Sequence, residues 1–186
     1  MFVRVLRGVV ALALIGIAAP AWSQAPHQHG HGTVNIAFEG NRLVIELHAP
    51  GADIVGFERP PQTPTEEAAL ARAVAQLKAP LELFGLPAAA RCVVGDVQVT
   101  AEGYDVPVLA APPGGTHTEF EAAYALTCAD AGAIRVISFP LFDRFAGAEE
   151  FDVTVLTERG PTEYEVTRAS PRLDRGSLLW RWLTGR

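Results

Sequence analysis

Residues 33–48 alternate apolar and polar side chains with a period of two, interrupted only by Gly40-Asn41. Val34, Ile36 and Phe38 fall on one side of the first run, and Thr33, Asn35 and Glu39 on the other. In the second run Leu43, Ile45 and Leu47 oppose Val44, Glu46 and His48. Strand side chains point alternately to two faces. Two such runs around a tight turn predict a β-hairpin with one buried face, closed by Pro50-Gly51.

The rest of the chain adds strands and one clear helix. Residues 54–58 read as a short extended piece, stopped by Arg59-Pro60-Pro61. Thr63-Pro64 followed by Glu66 and Glu67 is a helix start with a cap and first-turn acids. Ala69, Leu70, Ala73, Val74 and Leu77 then recur at helical spacing as far as Lys78, and Pro80 ends the run. A short helical turn is expected within 81–86. Residues 92–101 predict a strand with Val93, Val97 and Val99 on one face, and 102–116 a Pro- and Gly-rich loop. Residues 119–128 alternate, with Phe120, Tyr124, Leu126 and Cys128 inside and Glu119, Glu121 and Thr127 outside. A strand at 134–139, a helical turn at 140–145 and a hairpin of 151–157 with 162–167 complete the list. The expected fold is α+β: one domain, a largely antiparallel β-sheet of six to eight strands, a main helix near 65–78 and one or two short helices.

The amino-terminal segment carries an address. A basic stretch with Arg4 and Arg7 precedes an apolar run from Val9 to Ala19, then small residues at Ala21 and Ser23. This is the three-part pattern of a cleavable export signal, over 1–23, and the apolar run is short for a membrane span. It predicts a periplasmic protein. The remaining segments divide into an arm at 24–32, a domain at 33–173 and a tail at 174–186. Losing Arg4 and Arg7 moves the formal charge from −6 to −8, which makes nucleic acid a poor partner. Two cysteines, Cys92 and Cys128, read in an oxidising compartment as one disulfide. A thiolate ligand pair is the alternative, but no second closely spaced pair accompanies it.

Residues 27–32 read His-Gln-His-Gly-His-Gly. Clustered imidazoles suit zinc and copper. On an extended backbone His27, His29 and His31 would project to one side about 6.5–7 Å apart, too far for one ion without bending; Gly30 and Gly32 permit the bend. Further along, His48 lies two residues after Glu46 on the outer face of its strand. His117 precedes Glu119 and Glu121, which makes an outward His-x-Glu-x-Glu face with one imidazole and two carboxylates, a donor set that zinc accepts. No nucleophile elbow, His-Glu-x-x-His or phosphate loop is present. The expectation is a binding protein and not an enzyme.

Several blocks share the order of a known family. They are 29–37 (His-Gly-His-Gly-Thr-Val-Asn-Ile-Ala), 38–47 (Phe-Glu-Gly-Asn-Arg-Leu-Val-Ile-Glu-Leu) and Ile54-Val55-Gly56-Phe57-Glu58. Later come His117-Thr118-Glu119-Phe120 with Tyr124 and Cys128, and Ala169-Ser170-Pro171-Arg172-Leu173. Over roughly 29–173 the chain resembles the ZrgA-type periplasmic zinc uptake proteins. The resemblance implies a zinc-binding accessory that supports zinc acquisition, in contact with an uptake transporter or its binding protein. It implies ligands at His29 or His31 and at His117 and Glu119. The chain departs from the family pattern at Arg59, where a histidine often follows Gly-Phe-Glu, and in the 102–116 loop, which lacks a His- and Asp-rich stretch.

Two other readings follow from the residues. A His-x-His-x-His arm does not discriminate against Cu²⁺ or Ni²⁺, although a near absence of methionine opposes a copper(I) carrier. The tail, with Leu178, Leu179, Trp180, Arg181, Trp182 and Leu183, is too short to span a bilayer but has the composition of a segment that contacts a membrane surface. In that reading the domain is a metal-free interaction module docking on a membrane complex.

Overall fold

The computed structural model describes residues 29–105 and 117–176. The expected export signal, His27, most of the mid-chain loop and the tail beyond Gly176 lie outside these residues. Among the described residues eight strands form two sheets. In chain order they are β1 (His31–Glu39), β2 (Arg42–Pro50), β3 (Cys92–Glu102), β4 (Glu119–Cys128), β5 (Val136–Ser138), β6 (Glu150–Thr157), β7 (Gly160–Thr167) and β8 (Arg172–Asp174). The large sheet runs β3-β4-β2-β1-β6-β7, and β5 pairs with β8 in a small one. All neighbours are antiparallel except β1 and β6. The chain is therefore α+β, as its pattern predicts.

The alternation in the sequence sets the two faces. Val34, Ile36, Leu43, Ile45, Leu47, Phe120, Tyr124 and Leu126 are all excluded from water. The helix α2 (Pro64–Leu77) lies over this inner face through Ala73 and Leu77, which are buried. Its start is as the sequence reads: Thr63 Oγ1 accepts from the Glu66 N–H. Arg59 donates to both carboxylate oxygens of Glu66 at 3.0 and 2.6 Å. That guanidinium pulls the Glu66 carboxyl down to about 2. Arg59, which directly follows Gly56-Phe57-Glu58, thus forms an ion pair at the helix entrance. Short helices α3 (Pro80–Leu83) and α4 (Leu141–Arg144) complete the cover.

Three local expectations differ from the structure. Residues 54–58 do not form an extended piece; Gly51–Val55 closes one helical turn, α1, which ends where Gly56 takes φ 85°. In β3 the register shifts between Val94 and Val97. The bulge turns Val93 outward, where it is 64% exposed, while Val97 and Val99 pack on the core. A β-bulge inserts an unpaired residue and so breaks the period of two. The 134–139 strand shrinks to three residues, Val136–Ser138.

Cys92 and Cys128 are bonded and sit directly opposite each other at one end of the β3–β4 pair. Closing a loop of this length stabilises by about 3–4 kcal/mol on the chain-entropy model. Replacing both by alanine is expected to lower the unfolding free energy by about that amount in urea denaturation. An unchanged midpoint would show that strand pairing alone holds the edge.

Two tyrosines bridge layers through their hydroxyls. Tyr124 Oη donates to the Leu77 carbonyl at 2.8 Å, and Tyr104 Oη to the Phe57 carbonyl at 2.8 Å. Burial raises both phenols; Tyr104 moves from 10.0 to about 12. A raised folded value means stability that is complete below pH 10 and lost as pH rises through about 12. Urea midpoints measured along this range should fall, and the fall should flatten in the Tyr104→Phe/Tyr124→Phe variant. Absorbance titration should show Tyr104 and Tyr124 ionising late.

Candidate metal centre

His48 belongs to β2 and Glu119 and Glu121 to β4. The β2–β4 register puts His48 directly opposite Glu121 and Pro50 opposite Glu119. Glu119 is then the diagonal neighbour of His48, within reach of its long side chain. Because Leu47 and Phe120 are fully buried, all three polar neighbours must face outward. The sequence thus folds one imidazole and two carboxylates onto the same patch from two strands.

The distances suit a small cation. His48 Nδ1 lies 3.6 Å from Glu119 Oε1 and 3.5 Å from Glu121 Oε1, and ligand atoms of all three residues lie within 4.8 Å of one another. Donors about 2.0–2.1 Å from a tetrahedral zinc ion stand about 3.3–3.4 Å apart. An ion would enter with small side-chain adjustments. One nitrogen and two oxygens also match zinc's preference for imidazole and carboxylate. The side chains of His48, Glu119 and Glu121 are 40%, 21% and 41% exposed. The site is open on its solvent side, which leaves a position for water or for a receiving ligand.

The surroundings are negative. Across the sheet the outer row runs Thr100, Glu121, His48, Thr33, Asp152, Glu165. Glu102 stands opposite Glu119 on the other flank, and Glu46 precedes His48 on the same face. Carboxylates gathered on one face raise the local concentration of cations.

The other candidate residues sit at separate positions. His31 begins β1 and lies 3.5 Å through Nδ1 from Glu150 Oε1 of β6; His29 Nδ1 lies 3.6 Å from Glu58 Oε1. The two imidazoles face different carboxylates, with Gly30 at φ 83° between them. Gly30 N–H donates to Asp53 Oδ1 at 2.8 Å, and its carbonyl accepts from the N–H groups of Glu149 and Glu150 at 3.0 and 2.8 Å. Gly32 is also tightly placed: a β-carbon there would lie 2.7 Å from the His48 carbonyl oxygen and press into the Phe151 ring. His117 lies two residues before β4 and is exposed. Among the described residues the group of three that could hold an ion contains His48 and not His117.

Two residues that the sequence reading passed over shape this end of the sheet. Asp53 is only 3% exposed. Burial pushes its carboxyl above the ordinary range, while the Gly30 N–H and then His29 pull it back. The signal available was an acid in a Pro-Gly-Ala-Asp turn, which reads equally well as solvated. Arg168 donates to the carbonyls of Phe142 and Phe145 at 2.6 and 2.7 Å, and its own N–H donates to the Glu149 carbonyl at 2.8 Å. It gathers the turn that delivers Glu150 to His31.

No curated protein matches the chain. The family model for ZrgA family zinc uptake proteins matches residues 26–175, a stretch that contains the whole large sheet and all three residues of the His48 group. With that match and a cation-sized cluster on the sheet, the chain belongs to the ZrgA family of zinc uptake proteins.

Proposed function

We propose that the chain binds zinc reversibly on the outer sheet face, at His48, Glu119 and Glu121, and supports zinc acquisition outside the cytoplasm. The observation that carries this reading is the convergence of those three donors at spacings close to the edges of a zinc tetrahedron. Zinc is cargo in this reading. A half-exposed site with an open position releases an ion to a competing ligand more readily than a closed four-ligand site would. His31–Glu150 and His29–Glu58 offer weaker stopping points nearby on the same end of the sheet. The recipient would be an uptake transporter or its binding protein. No catalytic step forms part of the proposal.

The extracytoplasmic placement rests on chemistry as well as on the export pattern. A disulfide persists in oxidising compartments and is rare in the cytosol. No helix of the described residues is long and apolar enough to cross a membrane.

Calorimetric titration at neutral pH should show zinc uptake by the chain from Ala25 onward. His48→Ala and Glu121→Gln should each weaken it by about tenfold or more, whereas His117→Ala should leave it nearly unchanged. The reverse ranking would move the site to His117. Retained zinc binding in the His48→Ala/Glu119→Gln/Glu121→Gln variant would remove the reading altogether.

Imidazole must lose its proton to bind a metal, so affinity should fall as pH is lowered through the range in which histidines take up protons. Titrations repeated along a pH series check this. Copper(II) outcompetes zinc at most nitrogen sites, so the same titrations with Cu²⁺ and Ni²⁺ in competition measure selectivity.

A further inference from the structure

On the inner face of the large sheet, at the end where β1 turns into β2 through Gly40, lies an open cavity of about 620 Å³. Phe38 of β1, Val155 of β6 and Tyr164 of β7 form its sheet wall, and Ile134 closes the opposite side. Pockets for small organic molecules span about 300–1,000 Å³, so the space suits a ligand of that class. Three arginines, Arg135, Arg159 and Arg175, stand around the apolar floor, against one acid, Glu158.

These arginines are not neutralised. Among the described residues the ion pairs of arginine belong to Arg42, Arg59, Arg144 and Arg172, so none of the guanidiniums at the cavity has a carboxylate against it. Arg175 is the most constrained. It lies over the Phe38 ring, 3.8 Å from its centre, and donates to the Ile134 carbonyl at 2.8 Å. The Arg175 N–H donates to the Arg135 carbonyl at 2.8 Å, which holds the two backbones side by side. Burial holds the Arg175 guanidinium below its ordinary value, because a charge that loses water without gaining a counter-charge is destabilised. An anion entering the cavity supplies that counter-charge.

We propose that this cavity binds an amphipathic organic anion. Its carboxylate or phosphate head pairs with Arg135, Arg159 and Arg175, whose forked donors match two oxygens of such a group. Its aromatic or aliphatic body rests on Phe38, Val155 and Tyr164, which offer no charge to a polar remainder. The formal charge of −6 repels anions at long range, so the selection is made locally by the rim. The metal cluster is a separate place. His48 lies near the far end of β2 and on the outer face, about 20 Å along the strand from Arg42. Charges are screened beyond about 8 Å at physiological ionic strength. The anion site therefore stands or falls independently of the zinc reading.

The test is a fluorescence titration of the chain from Ala25 onward with 2-naphthoate, beside the neutral isostere 2-naphthamide and with acetate as competitor. Saturable naphthoate binding is expected. The amide should bind about tenfold more weakly or worse, the worth of a hydrogen bond to a charged group. Acetate should displace naphthoate only at concentrations about tenfold higher or more, since it buries almost no apolar surface. The stronger of naphthoate and 2-naphthyl phosphate names the head group that the rim prefers, and saturable binding of either supports the proposal. Arg135→Gln/Arg159→Gln should weaken naphthoate binding by about tenfold or more, and Arg135→Glu/Arg159→Glu should abolish it. Both side chains are exposed, so both variants should keep the parent urea midpoint, which shows that they fold. His48→Ala should keep naphthoate binding. Equal binding of naphthoate and naphthamide overturns the proposal, as does undiminished binding by the folded arginine variants. Capture of a polyglutamate peptide with no binding of either naphthyl anion also overturns it, and makes the mouth a seat for an acidic protein segment.

Discussion

In β2 four alternate residues, Leu43, Ile45, Leu47 and Ala49, have no contact with water. That exclusion leaves one register between β2 and its neighbours, since a slip of a single residue would expose all four. The same register decides which polar groups meet on the other side. His48 lands opposite Glu121 because Leu47 and Ala122 share the core, and Thr33 lands opposite His48 because Val34 does too. The geometry of the His48–Glu119–Glu121 cluster is thus a by-product of core burial. No loop has to be ordered to build it.

This arrangement suits a carrier. Donors fixed by strand backbones lose little freedom when an ion arrives, while the open side lets a competing donor approach. A loop-borne site would pay more in ordering and would hold its ion behind a conformational barrier. The negative row across β4, β2, β1, β6 and β7 adds a field that favours cations in general, so selectivity must come from the imidazole and from the spacing of the three donors.

Much of this was legible in the sequence. The hairpin at 33–48, the capped helix from Thr63, the strand at 119–128 and the disulfide all follow from local pattern, because each is decided by burial of a periodic apolar set or by the compartment. The faces of His48, Glu119 and Glu121 were legible too. Their meeting was not, because strand order is a long-range property: β2 and β4 are neighbours although β3 and the helices α1, α2 and α3 separate them in the chain. The sequence reading favoured His117 with Glu119 since they are close in number. The contact between Gly30 and Asp53 escaped it for another reason. A left-handed glycine whose N–H is held by a buried carboxylate 23 residues away leaves no local signature beyond the glycine itself. The bulge in β3 likewise has no marker except Gly95, next to the register shift.

The position of the disulfide has a further consequence. β3 is an outer strand of eleven residues with no sheet partner on its far side among the described residues, and Val93 and Val94 are exposed on it. Such a rim is a template for strands of other molecules. The Cys92–Cys128 bond fastens the rim at the end where those valines lie, far from Glu119. In a reducing medium that corner would be the first to peel, and the released strand would seek partners between molecules. By fastening that corner, the bond opposes strand exchange between molecules.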